Sequence, residues 1–170
     1  MRTPLSPNHR LHPHPRSDPA RALAVADSVS VPWYRAVAMA WAARFTDADP
    51  VAIARLAAEA AANGIDAYQR SAGRAWEIVA LADRHHPDLA ELALHEAVAI
   101  AEGIQPISPR SEALLLLFQA ACYLGPNHAK WVAERFHTIC PEAKHWRAKR
   151  ARREIHRILA GESQPRLFFW

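Results

Sequence analysis

Two sequence markers recur along this chain with nearly the same spacing. The first is an arginine near the start of a helical stretch, at Arg35, Arg70, Arg110 and Arg147, with intervals of 35, 40 and 37 residues. The second is a dipeptide that ends in proline and precedes a helical stretch. It occurs as Asp49-Pro50, His86-Pro87 and Gly125-Pro126, with intervals of 37 and 39 residues. A period of about 35 to 45 residues that carries two helices is typical of helical-repeat proteins. The repeat therefore predicts an all-α fold, and no segment shows the alternation of a β-strand.

Helical periodicity and boundary residues divide the chain after Pro32 into alanine-rich segments. Asp49 followed by Pro50 provides an N-cap and a first-turn proline, while Asn63-Gly64 and Gly103 are suited to helix C-termini. The predicted helices are 32–45, 50–63, 66–84, 87–102, 109–124, 127–139 and 142–160. We expect three regions, which are a disordered Pro/His/Arg-rich segment (1–30), a helical-repeat domain (31–160) and a tail with an apolar end (161–170).

One alanine-rich hairpin cannot bury its apolar stripe alone, so the next hairpin has to cover it. The stretch 113–124 is apolar on every side except at Gln119, and such a helix has to be surrounded by other elements. The last helix instead has one apolar stripe, which consists of Ala148, Ala151, Ile155, Ile158 and Leu159. This pattern predicts a right-handed α-solenoid of about three helical hairpins, closed by a C-terminal capping helix.

The pattern resembles the tetratricopeptide-like and HEAT-like α-solenoids over residues 31–160. Ala75-Trp76 followed after a loop by "LAELALHEAVAIA" is similar to a degenerate tetratricopeptide repeat. Val79, Ala80 and Asp83 replace the usual Leu-Gly and Tyr, and the loop "RHHPD" lacks the usual glycine. The resemblance implies a non-catalytic scaffold whose first helices form an inner surface that holds a peptide or another protein.

The recurring arginines are the leading candidates for partner binding. A cation at a helix N-terminus opposes the helix dipole, so each arginine needs a compensating partner. One interpretation is a ladder that grips carboxylates of another protein or peptide, an acidic one included. The alternative is pairing with Asp66, Asp83 or Glu112 within the chain. The complete predicted partner site is Tyr34, Arg35, Tyr68, Gln69, Arg70, Arg74, Arg110, Trp146 and Arg147.

Charge is unevenly distributed along the chain. Its net value is −6 in residues 45–102 and +6 in residues 103–170. The basic last helix, with Trp146 beside it, therefore suggests nucleic-acid binding as a second function, although a solvated outer face has the same composition. The residues for that alternative are Lys149, Arg152, Arg153, His156 and Arg157. Arg150 and His156 also resemble the Arg-His element of helical ribonucleases of the HEPN type. A ribonuclease of this type is the third hypothesis for the function.

Cofactor and metal chemistry finds little support in the sequence. His137, Cys140 and His145, with Cys122 as a fourth ligand, do not have standard zinc spacing, so we expect neither a metal site nor a cofactor. Catalytic motifs and a glycine-rich phosphate loop are absent, so we expect no catalytic residues. Two cysteines without a disulfide framework fit the cytoplasm, and the apolar stretch of 12 residues is too short to span a membrane.

The chain closes with four large apolar residues, Leu167, Phe168, Phe169 and Trp170. Burying each of them stabilises the protein by about 1.5 to 3 kcal/mol, so we expect this tail to dock. It has two candidate sites. One is the surface of its own chain, and the other is a partner or a second copy, which would give a homo-oligomer.

Overall fold

The computed structural model describes residues 18–141 and 145–169. Within these ranges it contains nine α-helices and no β-strand, so the predicted all-α class is confirmed. The helices are α1 (Pro19–Asp27), α2 (Pro32–Phe45), α3 (Pro50–Ala62), α4 (Ala67–Ala72), α5 (Ala75–Asp83), α6 (Pro87–Glu102), α7 (Ile107–Ala121), α8 (Pro126–Ile139) and α9 (Trp146–Leu159).

Proline and aspartate set most of the helix starts. Five helices begin with proline in the first turn, where the missing N–H costs no hydrogen bond. The carboxylate of Asp49 accepts from the backbone N–H groups of Val51 and Ala52 at 2.9 and 3.2 Å, and Asp66 caps α4 in the same way. The starts predicted at Pro32, Pro50 and Pro87 are confirmed, since local chemistry alone decides them.

Helix α1 lies inside the segment that was expected to be disordered. Asp18 accepts a hydrogen bond from the backbone N–H of Arg21 at 2.9 Å, and Pro19 occupies the first turn. Ala26 is buried and Leu23 packs against the same core. The prediction of disorder is therefore wrong for residues 19–27, because capping and core contact outweigh the polar composition around them. Residues 1–17 lie outside the described residues.

The single helix predicted over residues 66–84 is two helices. Gly73 separates α4 from α5. A side chain there would place its Cβ 2.7 Å from the carbonyl oxygen of Gln69 and 3.6 Å from the Trp33 ring. Glycine thus allows the break and a close approach to α2, which helical periodicity does not indicate.

Two tight turns separate the later helices. His85 has φ 63° after α5, and the N–H of His86 donates to the Leu81 carbonyl at 2.9 Å. This is a left-handed helix end, in a place where glycine is the common residue. Gly125 has φ 122° immediately before α8, a conformation that disfavours any side chain.

Consecutive helices pair, and the first helices of the pairs also contact one another. Helix α2 packs on α3, α5 on α6, and α7 on α8. In addition, α2 contacts α5, α5 contacts α7, and α7 contacts α9. No helix in the described ranges is both long enough and apolar enough to cross a bilayer.

Helix α7 is the centre of the core. Ala113, Leu114, Leu117 and Phe118 are each 0% exposed. The helix contacts α4, α5, α6, α8 and α9, which confirms that its apolar surface is covered by neighbouring elements. On α9, Ala148, Ala151 and Ile155 are buried as expected. Leu159, assigned to the same stripe, is instead 49% exposed, because it lies at the last residue of the helix.

Shortening a buried side chain of the central helix α7 should have a large effect on the stability of the protein. We expect Leu117→Ala to lower the free energy of unfolding by about 2 to 5 kcal/mol, since it removes fully buried methyl groups and leaves a cavity. Leu92, which is 56% exposed on α6, provides the matched control, and Leu92→Ala should change stability by less than about 0.5 kcal/mol. Urea titration followed by circular dichroism measures both. Equal effects of the two substitutions would contradict the central position of α7.

Candidate protein-binding surface

Aromatic side chains from three helical pairs converge on the last described residues of the chain. Trp41 and Phe45 lie on α2, Trp76 lies at the start of α5, and Tyr123 follows α7. Together with Trp33 on α2, these five side chains form what we call the aromatic face. Residues 164–169, the C-terminal segment, lie against it.

Phe168 makes the deepest contact. It is 0% exposed, and its ring meets the edges of Trp76 and Tyr123 at centroid distances of 5.4 and 5.8 Å. The indole Nε1 of Trp76 donates a hydrogen bond to the backbone carbonyl of Phe168 at 3.2 Å. One tryptophan therefore binds both the ring and the main chain of the same residue.

Phe169 occupies the adjoining part of the aromatic face. Its ring lies edge-on to Trp41 at 5.3 Å and to Phe45 at 5.7 Å. Edge-to-face pairs of this kind contribute about 0.5 to 1.5 kcal/mol beyond the area they bury. Two consecutive phenylalanines therefore contact different helices of the domain.

Main-chain recognition continues at Arg166. The Tyr123 hydroxyl donates to the Arg166 carbonyl at 3.0 Å, and burial raises the pKa of Tyr123, so the hydroxyl keeps its proton at neutral pH. The Arg166 guanidinium lies 5.3 Å from the ring centroids of both Trp76 and Phe168. Leu167, between the bound residues, is 69% exposed.

These contacts settle one open question about the tail. Phe168 and Phe169 dock on their own chain, the first of the two candidate sites. They are therefore occupied and cannot join two copies in this conformation. Trp170 lies outside the described residues.

Tyr68, a predicted partner-binding residue, extends the aromatic face. Its ring stacks on Trp33 with a centroid distance of 5.9 Å and an interplanar angle of 9°, and Trp33 in turn meets Trp76 edge-on at 5.6 Å. Burial raises the pKa of Tyr68, and the nearby carboxylate of Glu112 raises it further. This tyrosine is therefore part of the packing that positions Trp76.

The recurring arginines bind backbone carbonyls. Arg35 Nε donates to the carbonyl of Val29 at 2.7 Å, Arg70 Nη1 to that of Gly64 at 3.1 Å, and Arg110 Nε to that of Ile104 at 2.7 Å. Each acceptor lies six residues before its arginine, in the loop that precedes the arginine's own helix; for Arg70 and Arg110 this loop follows the preceding helical pair. The periodic arginines thus tie consecutive pairs together.

The carboxylates named as alternative partners of these arginines have other roles. Asp83 pairs with Arg44 at 2.5 Å and Glu112 pairs with Arg150 at 2.5 Å. Asp66 caps α4. The alternative of pairing with these acids is therefore not observed for Arg35, Arg70 and Arg110, whose guanidinium groups donate to loop carbonyls instead.

The fourth arginine departs from the pattern. Arg147 Nη1 lies 3.4 Å from the Ser108 hydroxyl, and its guanidinium is 5.2 Å from the Trp146 ring centroid. Arg152, predicted for nucleic acid, instead donates to the carbonyls of Cys140 and Pro141. It takes the carbonyl-binding role that Arg147 lacks, and its side chain is partly buried.

Arg74 is held in a partly buried ion pair. It donates to both carboxylate oxygens of Glu77, at 2.8 and 3.0 Å, and to Glu96 at 2.6 Å. Burial raises the pKa of the Glu77 carboxyl, whereas the hydrogen bonds from Arg74 act in the opposite direction. These bonds leave Arg74 little capacity to contact a partner.

Two other predicted residues have simple environments. Tyr34 is 64% exposed and Gln69 Oε1 accepts from the backbone N–H of Ile65 at 3.4 Å. Tyr34 is therefore accessible, whereas Gln69 serves the turn before α4.

The residues considered for zinc do not form a cluster in the described part of the chain, where no group of three or more ligating side chains comes together. Burial raises the pKa of Cys122 to about 11 and also raises that of Cys140. Burial lowers the pKa of His137, as do the nearby Arg152 and His156. Both thiols therefore stay protonated and unreactive at neutral pH.

Comparisons with protein-family models, with curated proteins and with solved structures give no match to this chain. The physical description of its own surfaces is therefore the basis for assigning a function.

All five residues of the aromatic face were missed as binding residues in the sequence, and so was Arg166 of the C-terminal segment. Trp76 and Phe168 are 92 positions apart, and no periodicity links them. The run of large apolar residues at 167–169 gave the only signal, since it predicted docking without indicating the place.

The carbonyl contacts of the recurring arginines can be tested through stability. We expect Arg110→Met to lower the free energy of unfolding by about 1 to 3 kcal/mol, because hydrogen bonds from charged donors contribute about that much. Arg55→Met on the exposed side of α3 should change it by less than about 0.5 kcal/mol. Chemical denaturation of both variants compares them. If Arg110→Met unfolds like wild type, the arginine has no role in joining the pairs.

The Arg74–Glu77 pair should behave as a buried ion pair. We expect Arg74→Met alone to cost about 3 to 5 kcal/mol, because it leaves the Glu77 carboxylate buried and uncompensated. The double variant Arg74→Met/Glu77→Met should regain most of that stability. Thermal unfolding monitored by circular dichroism gives the comparison, with Lys130→Met, on an exposed pair with Glu134, as control. If the losses of stability from the two single substitutions simply add in the double variant, Arg74 and Glu77 are not coupled.

Proposed function

We propose that this chain is a non-catalytic protein-interaction module whose first helices bind an extended segment of another polypeptide. The proposed architecture is a right-handed α-solenoid of three helical hairpins capped by α9, similar to tetratricopeptide-like and HEAT-like proteins. The pairing of α2 with α3, α5 with α6 and α7 with α8 supports this arrangement. So do the contacts that run from α2 to α5, α7 and α9.

One observation carries the proposal, namely that a peptide segment is already bound to the aromatic face. Trp76 and Tyr123 hold the main-chain carbonyls of Phe168 and Arg166. The Phe168 ring lies between Trp76 and Tyr123, which belong to separate helical pairs, and the Phe169 ring packs on Trp41 and Phe45 of α2. Side-chain donors for the main chain and pockets for alternate residues are the features by which grooves recognise extended peptides.

The same contacts define the ligand that we propose. It is an extended segment with two adjacent aromatic residues, preceded two positions earlier by a cation that lies over Trp76. An acidic ligand is less suitable, because Arg35, Arg70 and Arg110 are hydrogen-bonded to loop carbonyls.

The C-terminal segment competes for this surface. A segment tethered by a short linker has an effective concentration of about the millimolar range, so a partner peptide has to displace it. A partner peptide therefore binds only when residues 164–169 are released, so the partner takes the place of the C-terminal segment.

A peptide-binding experiment tests the proposal. The probe is fluorescein-labelled Ser-Gln-Pro-Arg-Leu-Phe-Phe, the sequence of residues 163–169, measured by fluorescence anisotropy. We expect the variant Phe168→Ser/Phe169→Ser, whose own segment is released, to bind this peptide at least ten times more tightly than wild type. In that background Tyr123→Phe should weaken binding by about 3- to 10-fold, the effect of one lost hydrogen bond.

Two controls make the result interpretable. A peptide with both phenylalanines replaced by serine should not bind, and far-UV circular dichroism should show that the released variant stays folded. A folded released variant that binds neither peptide, or binds both equally, would refute the proposed site.

A further inference from the structure

We infer that the exposed side of α9 is a binding surface for single-stranded nucleic acid, separate from the aromatic face. The surface comprises Trp146, Lys149, Arg150, Arg153, His156 and Arg157, and we call it the basic face. At 100° per residue these positions fall within a narrow arc, opposite the buried Ala148, Ala151 and Ile155. From Trp146 to Arg157 the face extends for about 16 Å.

Its cations are largely uncompensated. In residues 18–141 and 145–169, no carboxylate forms an ion pair with Lys149 or Arg153. Arg157 has only a long contact with Glu154 at 3.9 Å, and Arg150 pairs with Glu112 at 2.5 Å. A row of phosphates can therefore replace water and small ions along this helix.

Trp146 gives the face a second kind of contact. Its side chain is 60% exposed, although tryptophan buries well wherever a core is available. The guanidinium groups of Arg147 and Arg150 lie 5.2 and 5.9 Å from its ring, and His145 stacks on it at 6.1 Å. A nucleic-acid base can stack on this exposed indole, and the phosphates of the same strand can contact the cations beside it.

These features favour a nucleic-acid strand over a membrane. An amphipathic helix binds lipid through its apolar side, but Ala148, Ala151 and Ile155 on α9 are buried in the domain. A duplex would leave the bases inaccessible to Trp146, whereas a single strand exposes them. The basic face is long enough for about three phosphates of such a strand.

Anisotropy with a fluorescein-labelled 12-nucleotide oligouridine, from 50 to 200 mM salt, tests this inference on the full chain. The logarithm of the binding constant should fall with that of the salt concentration with a slope of about −2, as expected for three phosphates. Arg153→Glu/Arg157→Glu should weaken binding at least tenfold. Trp146→Ala should weaken it about 5-fold or more without changing the slope.

The matched control is Arg55→Glu/Lys130→Glu, which makes the same change in net charge on exposed residues of α3 and α8. This variant should bind within about twofold of wild type at 150 mM salt, where charges on other helices are largely screened. If both double variants weaken oligouridine binding equally, the effect comes from net charge alone, and the inference is overturned. Binding to phosphatidylserine vesicles without binding to oligouridine at 50 mM salt would overturn it as well.

Discussion

The structure depends on the burial of α7 from every side. Because the four successive leucines Leu114–Leu117 point to all sides of the helix, at 100° per residue, and are all buried, the helix is stable only when surrounded. Its neighbours α6, α8 and α9, together with the α4–α5 pair, provide that cover. The buried sides of α6, α8 and α9 are narrower, so each of these three helices has one side left for solvent or for another layer. The basic face of α9 is therefore the outer side of a helix whose inner side is required by the core.

Alanine and arginine provide the regularity between the pairs. Alanines such as Ala40, Ala75 and Ala90 are fully buried and let helices approach closely. Three of the four recurring arginines, Arg35, Arg70 and Arg110, each bind a loop carbonyl six residues upstream, so a charged donor satisfies a backbone group in the loop before its own helix. The period visible in the sequence has its physical basis in this contact.

Local signals predicted much of the helix inventory, and long-range contacts account for what they missed. Proline and aspartate placed the starts of α2, α3 and α6, and the apolar circumference of α7 predicted its burial. One expected helix is divided at Gly73, where a side chain would place its Cβ 2.7 Å from the Gln69 carbonyl oxygen. Of the predicted site, Tyr68 and Trp146 lie on the surfaces described above. The three carbonyl-bound arginines show why a periodic charged residue is ambiguous, since a structural repeat and a binding ladder have the same spacing. The aromatic face was invisible because its members come from three helical pairs, and because Trp76 is 92 positions from the Phe168 that it binds.

The contact of the C-terminal segment with the aromatic face affects the order in which the chain can complete its fold. In an ideal helical repeat each hairpin depends only on its immediate neighbours, and early hairpins can form while later ones are still being synthesised. Here Trp41 and Phe45, on α2, add the contact with Phe169 to their packing only when the C-terminal segment has been made. The early part of the domain is thus completed by residues that are made after all three helical pairs, which links its final packing to the synthesis of the C-terminal segment.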